Sequence, residues 1–103
     1  MKAPKHLAQV RKLPCCVCGA AAPSDPHHLR SSAFGRGMGR KSGDEWVVPL
    51  CRGCHNRVHE EGSKREGAWF NKYGIEAPQF AKDLWEVSGD LYEMKRVLLR
   101  YLL

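Results

Sequence analysis

The sequence predicts a small α+β fold: a short antiparallel β-hairpin laid on a helix, clamped by four cysteines around zinc and flanked by helices at the N- and C-terminal ends. Three observations predict it. Two C-x-x-C pairs, Cys15-Cys16-Val17-Cys18 and Cys51-Arg52-Gly53-Cys54, stand far apart in the chain. Two segments with strand character lie between them, separated by a glycine-rich stretch. Segments with helical apolar spacing precede and follow them. A chain of 103 residues hides only a modest share of its apolar surface, so a metal staple would supply folding energy that the core lacks.

From the N-terminal end, Leu7, Val10 and Leu13 fall at helical spacing between Pro4 and Leu13, and Pro14 ends the pattern. Cys15 to Asp25 contains Gly19, Pro23 and Ser24, which suits a tight metal knuckle followed by a turn. His27 to Arg30 is expected as a first strand and Glu45 to Leu50, with Trp46, Val47 and Val48, as its antiparallel partner. Between them SSAFGRGMGRKSGD carries four glycines and reads as a long functional loop. RGCHNRVHEE then reads as a short helix ended by Gly62, and Lys64 to Tyr73 as another closed by Gly74. Pro78 opens a last helical stretch, with Phe80, Leu84, Leu91, Leu98 and Tyr101 near one stripe and Ser88-Gly89 placed to split it in two. The whole reads as one domain over 1–103, with a core over about 13–74 and a helical extension over about 78–103. Trp69, Phe70, Phe80 and Trp85 read as core aromatics, with a dimer surface as the alternative.

The formal charge of +6 favours an acidic partner such as nucleic acid. Its distribution says more than its total. Between Pro26 and Gly43 there is no Asp or Glu, while Arg30, Arg36, Arg40 and Lys41 all fall there. A solvated loop with incidental charge is the plainer reading of the same residues. The start, MKAPKHLAQVRKL, lacks the apolar block of a secretory signal, and no apolar run is long enough to span a bilayer. A cytosolic protein without membrane contact is therefore expected. Five cysteines in a reducing compartment fit metal binding better than a disulfide framework.

Cys15, Cys18, Cys51 and Cys54 have the spacing of a structural zinc site, because each two-residue gap lets the backbone turn both sulfurs toward one point. Cys16 is then a spare, buried thiol. A redox C-x-x-C pair, which would not need the second knuckle, and incidental buried cysteines are the other readings.

Four of the five histidines sit in two motifs, Asp25-Pro26-His27-His28 and Cys54-His55-Asn56-Arg57-Val58-His59. On a helix His55 and His59 share a face, so both imidazoles can reach one metal ion. In a strand His27 and His28 point to opposite faces, so only one would face that helix. A second metal site follows, built on His27, His55 and His59, with open positions for substrate that four thiolates could not offer. Its ion would be a catalytic divalent metal, Mg2+ or Mn2+ by preference, and His28 the candidate general base for phosphodiester hydrolysis. Ordinary polar surface histidines are the alternative.

The order C-x-x-C, then D-P-H-H-L, then P-L-C-x-x-C-H-x-x-x-H resembles the His-Asn-His, or ββα-metal (His-Me finger), nuclease superfamily. More narrowly, DPHHLR followed by GRGMGRKSGDEWVVPLCRGCHNRVH is similar to small phage and prophage nucleases related to the phage recombination-enhancement nuclease. The likeness runs from about Leu13 to Tyr73. It implies a β-hairpin and helix around a metal and endonuclease activity on DNA, with His28 as base, His27 and His55 as ligands, and His59 as a further ligand. The asparagine that orients the base in that superfamily is missing from its usual place, where the chain reads Ser42-Gly43-Asp44-Glu45-Trp46. Asp44 is the nearest polar substitute, since a carboxylate can accept from an imidazole N–H and hold its tautomer. Asn56, on the helix, is expected to be exposed or capping.

Phosphate contacts would come from Arg30, Arg36, Arg40 and Lys41 of the loop and from Arg52 and Arg57 of the neighbouring helix. No base-reading module is recognisable, so low sequence specificity is expected. Targeting would then fall to a recombination protein or another phage or host partner. A zinc-stapled DNA-binding module without catalysis, and a protein-interaction domain acting through the aromatic C-terminal part, are the competing readings.

Overall fold

The computed structural model describes residues 2–30 and 43–102. In order these form α1 (Pro4–Val10), β1 (Asp25–His28), β2 (Val47–Leu50), α2 (Arg52–Glu61), α3 (Glu66–Asn71), α4 (Ala77–Glu86) and α5 (Leu91–Leu102). The described residues thus make a two-stranded antiparallel sheet and five helices, an α+β architecture. No helix among them is long and apolar enough to cross a membrane.

The hairpin forms, but β1 lies two residues earlier than the sequence suggested and β2 begins at Val47 instead of Glu45. The reason is an anchor just upstream. The buried Ser24 hydroxyl donates to the Leu13 carbonyl at 2.6 Å and its amide to the Arg11 carbonyl at 3.0 Å, so pairing begins at Asp25. Beyond the strands, one further bond from Leu29 N–H to the Trp46 carbonyl continues the ladder.

Two prolines fix the phase of this ribbon. Pro26 lies opposite Pro49, and neither has an N–H to exchange, so the pair must be of the non-hydrogen-bonded kind. The Pro49 carbonyl then points outward, where it accepts from Cys16 N–H at 3.0 Å. Side chains alternate along β1, so Asp25 and His27 share one face and Pro26 and His28 the other. All four residues of β2 are buried, because α1, α2 and α4 all pack against the strand.

The helices obey their local signals. Two i→i−3 bonds, Lys12 N–H to Gln9 and Leu13 N–H to Val10, tighten the chain after α1, which ends at Val10 instead of Leu13. Leu13 is nonetheless fully buried. α2 ends at Gly62, whose φ of 85° favours glycine. α3 is shorter than Lys64 to Tyr73, and Gly74, at φ 76°, turns the chain so that Ile75 N–H reaches back to Phe70. Gly89, at φ 99°, separates α4 from α5 as Ser88-Gly89 suggested. On α4, Ala77, Phe80, Ala81 and Leu84 form the buried stripe; on α5 it is Met94, Val97 and Leu98. Of the four aromatics expected in the core, Trp69, Phe70 and Phe80 are buried, whereas Trp85 is half-buried.

Trp85 packs edge-on against His6, with ring centroids 5.0 Å apart. His6 is itself buried; its Nδ1 lies 2.7 Å from the Ser88 hydroxyl, and its Nε2 has no hydrogen-bond partner among the described residues. Burial pulls this imidazole below its ordinary 6.5, against the opposing charges of Asp44 and Glu45. Protonation therefore costs the folded state more than the unfolded one. The contribution of His6 is complete above pH 6.5 and is lost as pH falls through and below that value. Thermal melts between pH 7.5 and 5 are expected to show falling stability, with a shallower fall in His6→Gln; parallel curves would remove His6 from this linkage.

Candidate functional site

A short loop and the start of α2 bring four cysteines together. Their sulfurs all lie within 4.8 Å of one another, with those of Cys18 and Cys51 3.6 Å apart. Thiolates around a tetrahedral zinc, at about 2.3 Å from the metal, sit at similar separations. Each knuckle has the same local build. Cys18 N–H points to the Cys15 sulfur and Cys54 N–H to the Cys51 sulfur, both at 3.5 Å. Gly19, at φ 76°, closes the first knuckle, and Cys51 caps the N-terminus of α2 in the second. The Cys54 amide and then neighbouring thiols hold Cys51 down at about 7, so it is readily a thiolate. Cys16 lies outside the cluster, and burial pushes its thiol well above the ordinary range. The fit to a structural zinc ion is good, with Cys16 as the spare.

The second cluster is made of imidazoles. Asp25 and His27 project from the same face of β1, toward α2, where His55 and His59 stand one turn apart. One nitrogen from each of His27, His55 and His59 lies within 4.8 Å of the other two. The Nε2 atoms of His55 and His59 are 3.0 Å apart; two such atoms approach this closely when a proton or a cation lies between them. His27 is buried, and its Nδ1 has no hydrogen-bond partner among the described residues. Burial lowers the pKa of His27 despite the carboxylate of Glu66, and burial followed by the charge of Arg30 lowers that of His59. Neutral imidazoles with free lone pairs are what a divalent ion requires. The donor set therefore fits such an ion, and its nitrogens suit Mn2+ and later first-row metals better than Mg2+.

His28 stands apart from this trio, as strand alternation requires. Its Nε2 lies 2.8 Å from Asp44 Oδ1, and the other Asp44 oxygen accepts from Ala3 N–H at 2.7 Å. The hydrogen bond with His28, then that from Ala3, holds the Asp44 carboxyl below its usual range. His27, His28, Asp44, His55 and His59 all line one cleft of about 590 Å³, lined also by Lys2 and Arg30.

Two acidic residues with no assigned role in the sequence complete the site. Glu66, at the start of α3, lies 2.9 Å from His27 Nε2 and accepts from Arg30 N–H at 2.9 Å. Asp25 lies 3.0 Å from His55 Nδ1 and pairs with the Arg52 guanidinium at 3.0 Å. Asp25 was visible as the first letter of the D-P-H-H motif, but no local pattern marks Glu66. Of the basic residues, Arg30 has its guanidinium 3.8 Å from Glu66, and Arg52 and Arg57 are exposed on α2. Asn56 is exposed as expected. Arg36, Arg40 and Lys41 lie outside the described residues.

A family model described as "Protein of unknown function (DUF968)" matches residues 1–88. The chain is also 43% identical over 70 residues to "Uncharacterized protein YdfU" of Escherichia coli (strain K12). That match covers 68% of the present chain and 18% of the relative, so the chain spans less than a fifth of its length. No solved structure matches.

The cysteine geometry sets two expected outcomes, read from metal content and chelator-dependent melting. Purified protein should hold one zinc per chain in this cluster, and Cys54→Ser should lose it together with most of the fold, since structural zinc contributes on the order of 10 kcal/mol. Cys16→Ala should keep its zinc and lose only on the order of 1 kcal/mol.

Proposed function

The chain belongs to the DUF968 family, and we propose that it is a metal-dependent DNA endonuclease of the ββα-metal type, hydrolysing phosphodiester bonds with low sequence specificity. One observation carries this reading: a cleft lined by three clustered imidazoles beside a separate histidine–carboxylate pair, His28 with Asp44. Metal ligands and a general base are different jobs, and phosphodiester hydrolysis needs both.

In this reading His27, His55 and His59 would hold a divalent ion. When bound, the ion neutralises the scissile phosphate and stabilises the leaving oxygen. His28 donates its Nε2–H to Asp44, which leaves Nδ1 to take the proton from an attacking water. Asp44 fixes that tautomer and is itself steadied by Ala3 N–H. Arg30, which lines the cleft, and Arg52 and Arg57, exposed on α2, would contact the phosphodiester backbone, together with Arg36, Arg40 and Lys41 of the glycine-rich segment. No base-reading module is recognisable around the site, so a partner protein would supply any targeting, in keeping with a phage or prophage recombination role.

The proposal is tested by incubating zinc-loaded protein with supercoiled plasmid and with single-stranded circles, adding Mn2+, Co2+ or Mg2+. Cleavage is expected with Mn2+ or Co2+ and should fall about 10²- to 10⁴-fold in His28→Ala, with the fold and the bound zinc unchanged. Asp44→Ala should lower the rate while leaving ion binding intact. Salt-sensitive DNA binding with no cleavage under any ion would instead favour a non-catalytic zinc-stapled DNA-binding module.

A further inference from the structure

Glu66 is the one acidic side chain buried among the described residues, with only 1% of its surface exposed. A carboxylate is costly to bury unless donors satisfy its oxygens. Here one oxygen faces His27 Nε2 and the other accepts Arg30 N–H, each at 2.9 Å. An ionised carboxylate can only accept, so His27 Nε2 must carry the proton. In a neutral imidazole the lone pair then belongs to Nδ1, the atom that is buried without a hydrogen-bond partner among the described residues. The His27 ring stands edge-on to His55 and His59, with centroids 5.1 and 5.4 Å away. A buried acceptor with no donor is an energetic debit. A cation shared with His55 and His59 removes it.

We propose that Glu66 is a positioning residue of the histidine cluster: it holds His27 as the Nε2–H tautomer, so that Nδ1 presents its lone pair to an ion shared with His55 and His59. Asp25 does the same for His55, accepting from Nδ1 and leaving Nε2 for the ion. The two carboxylates come from different places. Asp25 is on the hairpin itself, whereas Glu66 reaches in from α3 and also fixes, through Arg30 N–H, where the chain leaves β1. This role rests on the three histidines being the ion site proposed above.

The test reads tautomers and affinity, not cleavage. Side-chain ¹⁵N NMR of the full chain, with zinc only in the cysteine cluster, should show His27 protonated at Nε2. Titration with Co2+ should then give a dissociation constant raised about 10- to 100-fold in Glu66→Leu, and less in Glu66→Gln, whose amide oxygen can still accept from Nε2–H. The well-dispersed spectrum of a folded protein qualifies each variant, and the wild-type tautomer needs no variant at all. His27 protonated at Nδ1 in the wild type would overturn the assignment. So would folded variants that bind Co2+ as tightly as the wild type, which sinks the role of Glu66 and leaves the ion site standing. A wild type that binds no second ion overturns the ion site and this role with it.

Discussion

The phase of the short ribbon between β1 and β2 governs nearly everything else, because side chains in a strand alternate and a slip of one residue would turn His27 outward and His28 inward. Three constraints hold that phase. Pro26 and Pro49 can face each other only across a pair that exchanges no hydrogen bonds. The Ser24 hydroxyl ties the chain to Leu13 immediately before the ribbon starts. The cysteine knuckles lie on either side, one ahead of β1 and the other directly after Leu50, so the four-cysteine cluster gathers the ribbon's open end to the start of α2.

With the phase set, the polar groups beneath the ribbon form a connected arrangement. Asp25 and His27 lie on one face and meet His55 and His59 across from them, with Glu66 behind His27. Such a set would be expensive in a small domain if its members were unpaired. Carboxylates satisfy one nitrogen of His27 and one of His55. His28, on the opposite face, is held by Asp44 and stays partly open to solvent. The two faces of one strand thus separate the proposed ion ligands from the proposed base.

The helices beyond α2 are support with a purpose. α3 carries Glu66 and also Phe70, whose ring lies 6.0 Å from that of His27, so the same helix supplies a polar and an apolar wall to one imidazole. α4 packs against β2 and α3 and is backed by α5, where the Tyr101 ring packs at a tilt against Phe80, centroids 4.5 Å apart, and its hydroxyl donates to Asp83. His6 and Gln9 of α1 reach the turn between α4 and α5 through Ser88 and Gly89. The N-terminal helix and the C-terminal pair therefore brace each other and, through β2, the ribbon.

What the sequence determined by itself is what depends on local spacing. The C-x-x-C gaps set each knuckle, the four-residue step put His55 and His59 on one face of α2, and Gly62, Gly74 and Gly89 marked where the chain turns after a helix. Alternation also foretold that only one of His27 and His28 would face α2. Tertiary structure decided the rest. Strand ends shifted because Ser24 is anchored to a segment more than ten residues earlier, a contact that no propensity encodes. His28 meets Asp44 at a separation of 16 residues and His27 meets Glu66 at 39. Glu66 sits in a charged, unremarkable stretch, and only the packing of α3 against α2 and α4 buries it and aims it at an imidazole. Local backbone geometry fixes which residues share a face, but which faces then meet is settled by the core and by the pairing of distant segments.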